Sequence, residues 1–446
     1  MINGLKILFV SLGCDKNRVD LEKMLGLLSQ KGWEITDDEL SADVIVVNTC
    51  CFINEAKQES IDFILQMARH KEDGKCKALI VTGCMAQRYA AQIRESLPEV
   101  DAIVGTTGYD RITEVIGDAL SGRMDVELDD LGKIALPDGK RVLTTGGHYA
   151  YLKIAEGCDK HCTYCAIPSM RGPYRSVPEE SLLREAEQLA EAGVRELILV
   201  AQETTLYGTD LYGRKCLHEL ISKLAQISSI RWIRVLYCYP EEIYPELISC
   251  MKKEPKFVHY LDLPIQHAND QILKRMGRRT SKADLEDIIE RLRSEVPDII
   301  LRTTLITGFP GETQEQFEDV FRFINEMEFN RLGVFTYSQE EGTPAALMDG
   351  QIDEETKLSR RDELMELQQE IAFELAKKMV GRELYVMIEG QVAGENTYVA
   401  RGYGDAPDVD GYVFLNSDEV YVSGDFVKVK ITGSSDYDLI GVPVKE

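Results

Sequence analysis

The sequence predicts an α/β protein of three consecutive domains: an N-terminal doubly wound parallel sheet, a central partial barrel of six (βα) units, and a small C-terminal β-barrel of the OB type. Three observations carry this reading. Short apolar runs alternate with helix-length amphipathic stretches through most of the chain. Six such runs recur between residues 151 and 337. From Arg382 onward the pattern changes to short strands with Gly- and Asp-rich turns between them. The bounds read as 4–122, a linker at 123–143, then 144–374 and 377–446. A chain of 446 residues has ample length for several cores.

In the first segment the predicted strands are Leu5–Leu12, Val44–Asn48, Ala78–Thr82 and Ala102–Val104, and the helices are Asp20–Gln30, Glu55–Arg69 and Gln87–Ser96. Cys14, Cys50 and Cys84 each follow a predicted strand directly. In a parallel sheet those ends share one edge, where ligands bind. Three thiolates there can hold three irons of a 4Fe-4S cluster and leave the fourth iron open. Plain core cysteine is the competing reading, and Cys51 competes with Cys50 for the ligand role. Cys76, Cys216, Cys238 and Cys250 match no spacing and read as buried thiols. A loop rich in Asp and Gly, Asp125 to Gly147, leads on to the second segment.

There the strands read as Tyr151–Ala155, Leu197–Val200, Trp232–Leu236, Val258–Leu263, Ile299–Ile306 and Gly333–Tyr337, with helical patterns such as Pro178–Ala192 and Asp284–Ser294 between them. Such barrels work at the C-terminal ends of their strands. Directly after the first strand stands Cys158-Asp159-Lys160-His161-Cys162-Thr163-Tyr164-Cys165. Three thiolates at spacings of four and three, without a fourth nearby, again suit a cluster with an open iron. A zinc knuckle would want a fourth close ligand, and His161 adjoins Cys162 too closely for tetrahedral geometry. No Walker lysine pattern appears, so nucleotide triphosphate hydrolysis has no support. Lys274, Arg275, Arg278 and Arg279 form a basic group, read as substrate contact or as a solvated face.

A charged helix, about Glu354 to Met379, leads to the third segment, whose strands read as Leu384–Ile388, Thr397–Ala400, Tyr412–Leu415, Phe426–Ile431 and Leu439–Val442. The whole chain carries a formal net charge of −25, a poor match for a phosphate backbone and a better one for a basic partner. From Arg382 on there are five basic and twelve acidic residues. Tyr398, Tyr403 and Tyr412 could stack on bases, but RNA-binding barrels rely on positive grooves. No apolar run approaches the roughly 20 residues that span a bilayer, and the N-terminus lacks the layout of a signal peptide. The expectation is a cytoplasmic protein with no membrane partner. Eleven cysteines in such a chain point to metal or catalysis rather than disulfides.

The CxxxCxxC run with its aromatic residue resembles the signature of the radical S-adenosylmethionine (radical-SAM) enzymes, which are built on a six-unit partial barrel. The pair of three-cysteine sets and the small β-domain, similar to the TRAM domain, resemble the methylthiotransferases over nearly the whole chain. Ser11-Leu12-Gly13-Cys14-Asp15-Lys16-Asn17-Arg18-Val19-Asp20, Asn48-Thr49-Cys50, Gln202-Glu203-Thr204-Thr205 and Arg302-Thr303-Thr304-Leu305-Ile306 resemble the RimO branch. Pro264-Ile265-Gln266-His267 and Gly308-Phe309-Pro310-Gly311-Glu312-Thr313 occur in both branches. The resemblance implies two 4Fe-4S clusters, on Cys14, Cys50 and Cys84 and on Cys158, Cys162 and Cys165. It also implies SAM as radical source and methyl donor. The expected reaction adds a methylthio group to the β-carbon of an aspartate in ribosomal protein S twelve. An electron donor and a sulfur source, both unidentified, would be partners. Tyr164, Gln202, Glu203, Gln266, His267, Gly308 and Gly311 are the expected SAM pocket; a lone histidine such as His267 is more often structural. Many radical-SAM enzymes carry Gly-Gly-Glu where this chain reads Ala201-Gln202-Glu203. The alternatives are a tRNA methylthiotransferase of the same family, and a non-catalytic iron–sulfur electron carrier or RNA-binding scaffold. The acidic third segment disfavours RNA and suits a basic ribosomal protein.

Overall fold

The computed structural model describes residues 4–136 and 139–444. The chain divides into two compact units, and they do not follow the three consecutive segments. One gathers Met1–Thr144, Lys153–Val177 and Ser338–Ala346; the other gathers Thr145–Leu152, Pro178–Tyr337 and Leu347–Glu446. Pro137 and Asp138 of the predicted linker, and Lys445 and Glu446 at the end of the third segment, lie outside the described residues.

The first unit is built on a six-stranded sheet in the order Glu34–Ile35, Lys6–Ser11, Val44–Thr49, Ala78–Gly83, Ala102–Val104, Asp125–Glu127, with every neighbouring pair parallel. Strand alternation explains its two covered faces. Ile7, Val44, Val46, Ile80 and Val104 pack on one side with Met24 and Leu28 of the helix Asp15–Gln30 and with Ile112, Val115 and Ile116 of the helix Ile112–Leu120. Leu8, Ile45, Val47, Leu79, Val81 and Ile103 pack on the other with Ile64 and Met67 of Asn54–Ala68 and with Ala90 and Ile93 of Cys84–Ser96. Each fully buried aliphatic side chain contributes roughly 1.5–3 kcal/mol. The chain leaves Lys6–Ser11 for one edge and returns on the other side at Val44–Thr49. The direction of winding therefore reverses between these two strands, which is where open α/β sheets bind ligands.

Asp125–Glu127, expected to open the linker, is instead the sixth strand, paired with Ala102–Val104. Its three residues are too few to show a period. The helices Asp15–Gln30 and Cys84–Ser96 also begin earlier than expected: the first turn of one is polar, Asp15 to Arg18, and Cys84, Met85 and Ala86 of the other pack into the core.

The second unit holds six strands in chain order: Tyr149–Lys153, Glu196–Val200, Trp232–Val235, Phe257–Asp262, Ile300–Thr307 and Arg331–Thr336. Pairing is parallel from Glu196–Val200 to Arg331–Thr336, so this is the open barrel of successive βα units. The helix Glu354–Lys378, started by Asp353 accepting from the Thr356 amide at 2.9 Å, leads to a closed five-stranded barrel. Its strands are Glu383–Gln391, Thr397–Gly402, Val413–Asn416, Phe426–Ser435 and Asp438–Pro443. Val386, Ile388, Ala400, Val413, Leu415, Val429 and Ile431 fill it.

Buried charges tie this small barrel to the strands beside it. Glu196, Arg234 and Arg401 are fully buried. The Glu196 carboxylate accepts from Arg234 Nε at 2.8 Å and Arg401 Nη2 at 2.7 Å. Arg401 Nε also reaches Glu389 at 2.7 Å, and Arg234 Nη1 donates to the Tyr403 carbonyl at 2.8 Å. Two of the tyrosines considered for base stacking are thereby spoken for. Tyr398 is buried in the barrel core against Tyr421, and the Tyr403 hydroxyl donates to the Asp298 carbonyl at 2.9 Å. Among the described residues, no helix is long and apolar enough to cross a membrane.

Candidate metal centres

All six cysteines singled out above lie in the first unit. Cys14, Cys50 and Cys84 stand at the C-terminal edge of its sheet, after Lys6–Ser11, Val44–Thr49 and Ala78–Gly83. Cys14 caps the helix Asp15–Gln30, and Cys84 is the first residue of its own helix. Helix N-termini carry partial positive charge and suit an anionic guest or ligand set.

Two glycines let these loops approach one another. Gly13 has φ +95°, and a Cβ on it would lie 2.8 Å from Cys50 Cβ. Gly83 also has φ +95°, and its Cβ would lie 2.6 Å from Asn48 Oδ1. Side chains then stitch the edge together. Asn17 Nδ2 donates to the carbonyls of Leu12 and Thr49, both at 3.1 Å. Asn48 Nδ2 donates to the Asn17 carbonyl at 2.9 Å. Ser60 accepts from the Cys50 amide at 3.0 Å and donates to the Cys50 carbonyl at 2.8 Å. Cys51 turns into the apolar cluster, with Sγ 3.3 Å from Met170 Sδ.

Burial pushes the Cys50 thiol up to about 12, with Cys84 and Cys14 adding like-charge repulsion and Arg171 opposing it. Cys84 is raised for the same first reason, with Arg171 acting against the rise. Two buried sulfurs, Cys50 and Cys84, and the exposed Cys14, which repel one another as thiolates, are a site wanting a cationic guest.

The second set lies on a pinched loop. Ala155–Glu156 pairs antiparallel with Arg175–Ser176, the Cys158 amide donates to the Gly172 carbonyl at 3.1 Å and the Cys165 amide to the Cys162 carbonyl at 3.0 Å. Gly157 has φ +79°, and a Cβ there would overlap the Pro173 carbonyl. Cys158 and Cys162 are buried, and Cys165 is pushed up to about 12 by burial, then by Cys162 and Cys158. Among the described residues, no three His, Cys, Asp or Glu side chains are arranged to hold a single metal ion. The donor chemistry, three soft thiols per set with no carboxylate or imidazole among them, fits iron–sulfur clusters.

A polar group that the sequence reading did not single out as a set joins the two thiol loops. Arg171, at the end of the helix Ile167–Arg171 just after Cys165, contacts Asp20 at 2.7 Å, Glu156 at 3.2 Å and Asn17 Oδ1. Lys153 completes it with Glu156 at 2.6 Å and with Asp20. All four charged side chains are buried. Asn17 and Asp20 belong to the motif that follows Cys14, and Lys153 to the predicted strand Tyr151–Ala155, but nothing in the sequence joined them to Arg171.

Of the expected SAM-pocket residues, Tyr164 is half-buried on the cysteine loop. The other six follow strands of the second unit. Glu203 is buried and caps its own turn, accepting from the Thr205 amide at 2.9 Å; Gln202 beside it is half-buried. His267 has both ring nitrogens engaged. Nδ1 accepts from the Asn269 amide at 2.9 Å, so Nε2 donates to Glu312 at 3.0 Å. Glu312 in turn accepts from the Gly308 amide at 2.6 Å and from Arg360 at 2.8 Å. His267 is thus a structural member of a buried network. Gly308 and Gly311 have positive φ and press against Lys357 and Arg275. Gln266 differs: its φ is +71°, and its buried Oε1 accepts no hydrogen bond among the described residues. A strained residue with an orphan acceptor at a strand end is a ligand-contact candidate. In the basic group, Arg278 is buried over the Tyr239 ring, 4.2 Å from its centroid, while Lys274 and Arg279 are exposed.

Known proteins show the same organisation. Residues 6–105 match the uncharacterized protein family UPF0004, 152–324 the radical SAM superfamily and 380–444 the TRAM domain. A protein of Lachnoclostridium phytofermentans named ribosomal protein uS12 methylthiotransferase RimO is 58% identical over 98% of this chain and 99% of its own length. Proteins of the same name from Clostridium botulinum and Clostridium perfringens are each 50% identical, over 98% and 99% of this chain and 98% of their own lengths. Among solved structures, the radical SAM methyltransferase TsrM from Kitasatospora setae is similar with a TM-score of 0.53 at 14% identity, covering 89% of this chain and 80% of that one. The cobalamin-dependent radical enzyme OxsB is similar with a TM-score of 0.51 at 14% identity, covering 81% and 56%. These two likenesses concern the fold.

Proposed function

Because the chain belongs to the RimO family of ribosomal protein uS12 methylthiotransferases, we propose that Cys158, Cys162 and Cys165 hold its radical-SAM cluster and that Cys14, Cys50 and Cys84 hold its second cluster. The enzyme is a radical-SAM methylthiotransferase, its cofactors are two 4Fe-4S clusters and SAM, and its substrate is ribosomal protein uS12. The acceptor atom is the β-carbon of one aspartate. An unactivated C–H bond has no acidic proton, so acid–base side chains alone would not suffice. Bound in these loops, the clusters and SAM supply radical hydrogen removal and delivery of a methylthio group.

The protein supplies position and environment. Gly13 and Gly83 close the sheet edge around one thiol set. Gly157 and the Ala155–Glu156 pairing close the loop that carries the other. Cys14 and Cys84 stand at helix starts, whose partial positive charge suits a negatively charged cluster. Gln266 is our candidate contact to SAM. The acidic third segment, proposed to span 377–446, suits basic uS12 better than RNA. The electron donor and the sulfur source are separate partners, and the site of action is the cytoplasm, where uS12 is made.

The observation that supports this reading is that two sets of three thiols, on the sheet edge and on the loop after Ala155–Glu156, lie in one unit. Its test is mass spectrometry of uS12 after anaerobic incubation with reconstituted enzyme, SAM, sulfide and a reductant. A methylthio increment on one aspartyl peptide is expected. Unmodified uS12 despite formation of 5′-deoxyadenosine would refute the substrate. Cys162→Ala should abolish SAM cleavage, whereas Cys84→Ala should spare it and block sulfur insertion; the reverse pattern would overturn the ligand assignment.

A further inference from the structure

We propose that Arg171 is a positioning residue for the second cluster: it belongs to the radical-SAM cysteine loop, yet its guanidinium serves the Cys84 end of the other thiol set and sets that cluster's reduction potential. The inference rests on the ligand assignment above.

Three contacts define the arrangement. Arg171 Nη2 donates to Asn17 Oδ1. That same oxygen lies 3.7 Å from Cys84 Sγ. Arg171 Nη1 is held from behind by Asp20 at 2.7 Å and Glu156 at 3.2 Å. Asn17 and Asp20 stand on the helix that Cys14 caps, while Arg171 ends the helix that follows Cys165. One side chain therefore fastens the two loops together. Arg171 is 3% exposed and Asn17 fully buried, so little water screens the charge.

Charge bookkeeping gives the direction. Lys153 and Arg171 offset Asp20 and Glu156, which leaves the group near neutrality and the thiolates as the remaining negative charges. A guanidinium held beside Cys84 stabilises the more negative, reduced cluster. Hydrogen bonds and charges near cluster sulfurs are an established lever on potential. An arginine fits this role better than a lysine, since its fork reaches two partners at once.

The test uses full-length chain with Cys158, Cys162 and Cys165 replaced by Ala, so that only the second cluster loads. Its midpoint is read by EPR-monitored redox titration, together with iron content. Arg171→Gln should retain iron and lower the electron affinity at least tenfold, about 59 mV for one electron. Asp20→Asn, which removes a negative charge near the same guanidinium, should shift the midpoint the other way. It also serves should the Arg171 variant fold poorly. Unchanged midpoints, or shifts of one sign in both variants, overturn the inference. A parent chain that binds no iron at this set overturns the ligand assignment instead, and the inference with it.

Discussion

Gly13→Ala is a sharp test of how the sheet edge makes a cluster site. Gly13 has φ +95°, and the new Cβ would lie 2.8 Å from Cys50 Cβ and 2.9 Å from Asn17 Nδ2. Unstrained carbon–carbon contact begins near 3.5 Å, so the Cys14 and Cys50 loops must separate by about 0.7 Å or more. The backbone conformation costs roughly 1–3 kcal/mol in a residue with a Cβ, and forced overpacking roughly 1–3 more. Asn17 can yield only by giving up its bonds to Leu12 and Thr49. The expected outcome is a destabilisation of about 2–6 kcal/mol and loss of most iron from the second set. The assay is iron and sulfide per chain after anaerobic reconstitution, in the variant lacking the three loop cysteines, beside a urea unfolding curve. Gly122→Ala is the control, for it has φ +76° with nothing within 4 Å of its Cβ. It should lose some stability and no iron. A Gly13→Ala chain with full iron and an unchanged unfolding curve would refute the close-approach reasoning.

Glu196→Gln should destabilise the second unit by about 3–5 kcal/mol, because it leaves Arg234 and Arg401 buried without their shared carboxylate; a change under about 1 kcal/mol in urea unfolding would contradict this. Arg401 and Arg234 hold the Glu196 carboxyl below the usual range against the opposing effect of burial. Its stabilisation is therefore complete above the unfolded value near 4.5 and is lost as pH falls through the lower folded value. Asp405, raised by burial, acts in the opposite sense. The wild type should consequently lose stability more steeply on acidification than the Glu196→Gln chain, and parallel acid-unfolding curves would contradict the assignment. Gln266→Ala should leave the iron content intact and weaken SAM binding roughly 3- to 10-fold, the worth of one hydrogen bond. Equilibrium dialysis showing unchanged affinity would remove Gln266 from the SAM contacts.

The sequence by itself determined the six barrel strands and the four inner strands of the first sheet to within a few residues, because alternation and apolar runs report directly which faces are buried; the short edge strands Glu34–Ile35 and Asp125–Glu127 escaped it. It also determined the placement of Cys14, Cys50 and Cys84, since a cysteine directly after a strand of a parallel sheet has only one edge to occupy, whereas the pinched antiparallel pair that leads to Cys158 was not legible. The small barrel was legible for the same reason: its strands alternate. What only the tertiary structure decided are the pairings between residues far apart in the chain. Arg171 meets Asn17 across 154 positions, and Arg401 meets Glu196 across 205. Local periodicity says that a position is buried but not which charge will face it. Tyr398 and Tyr403 show the same limit, because an aromatic residue in an alternating strand reads alike whether it stacks on a base or on the core. Cys51 does too: its neighbour Cys50 lines the sheet edge while Cys51 turns into the core, a choice made by the backbone after Val44–Thr49 and by Met170, which waits 119 positions away.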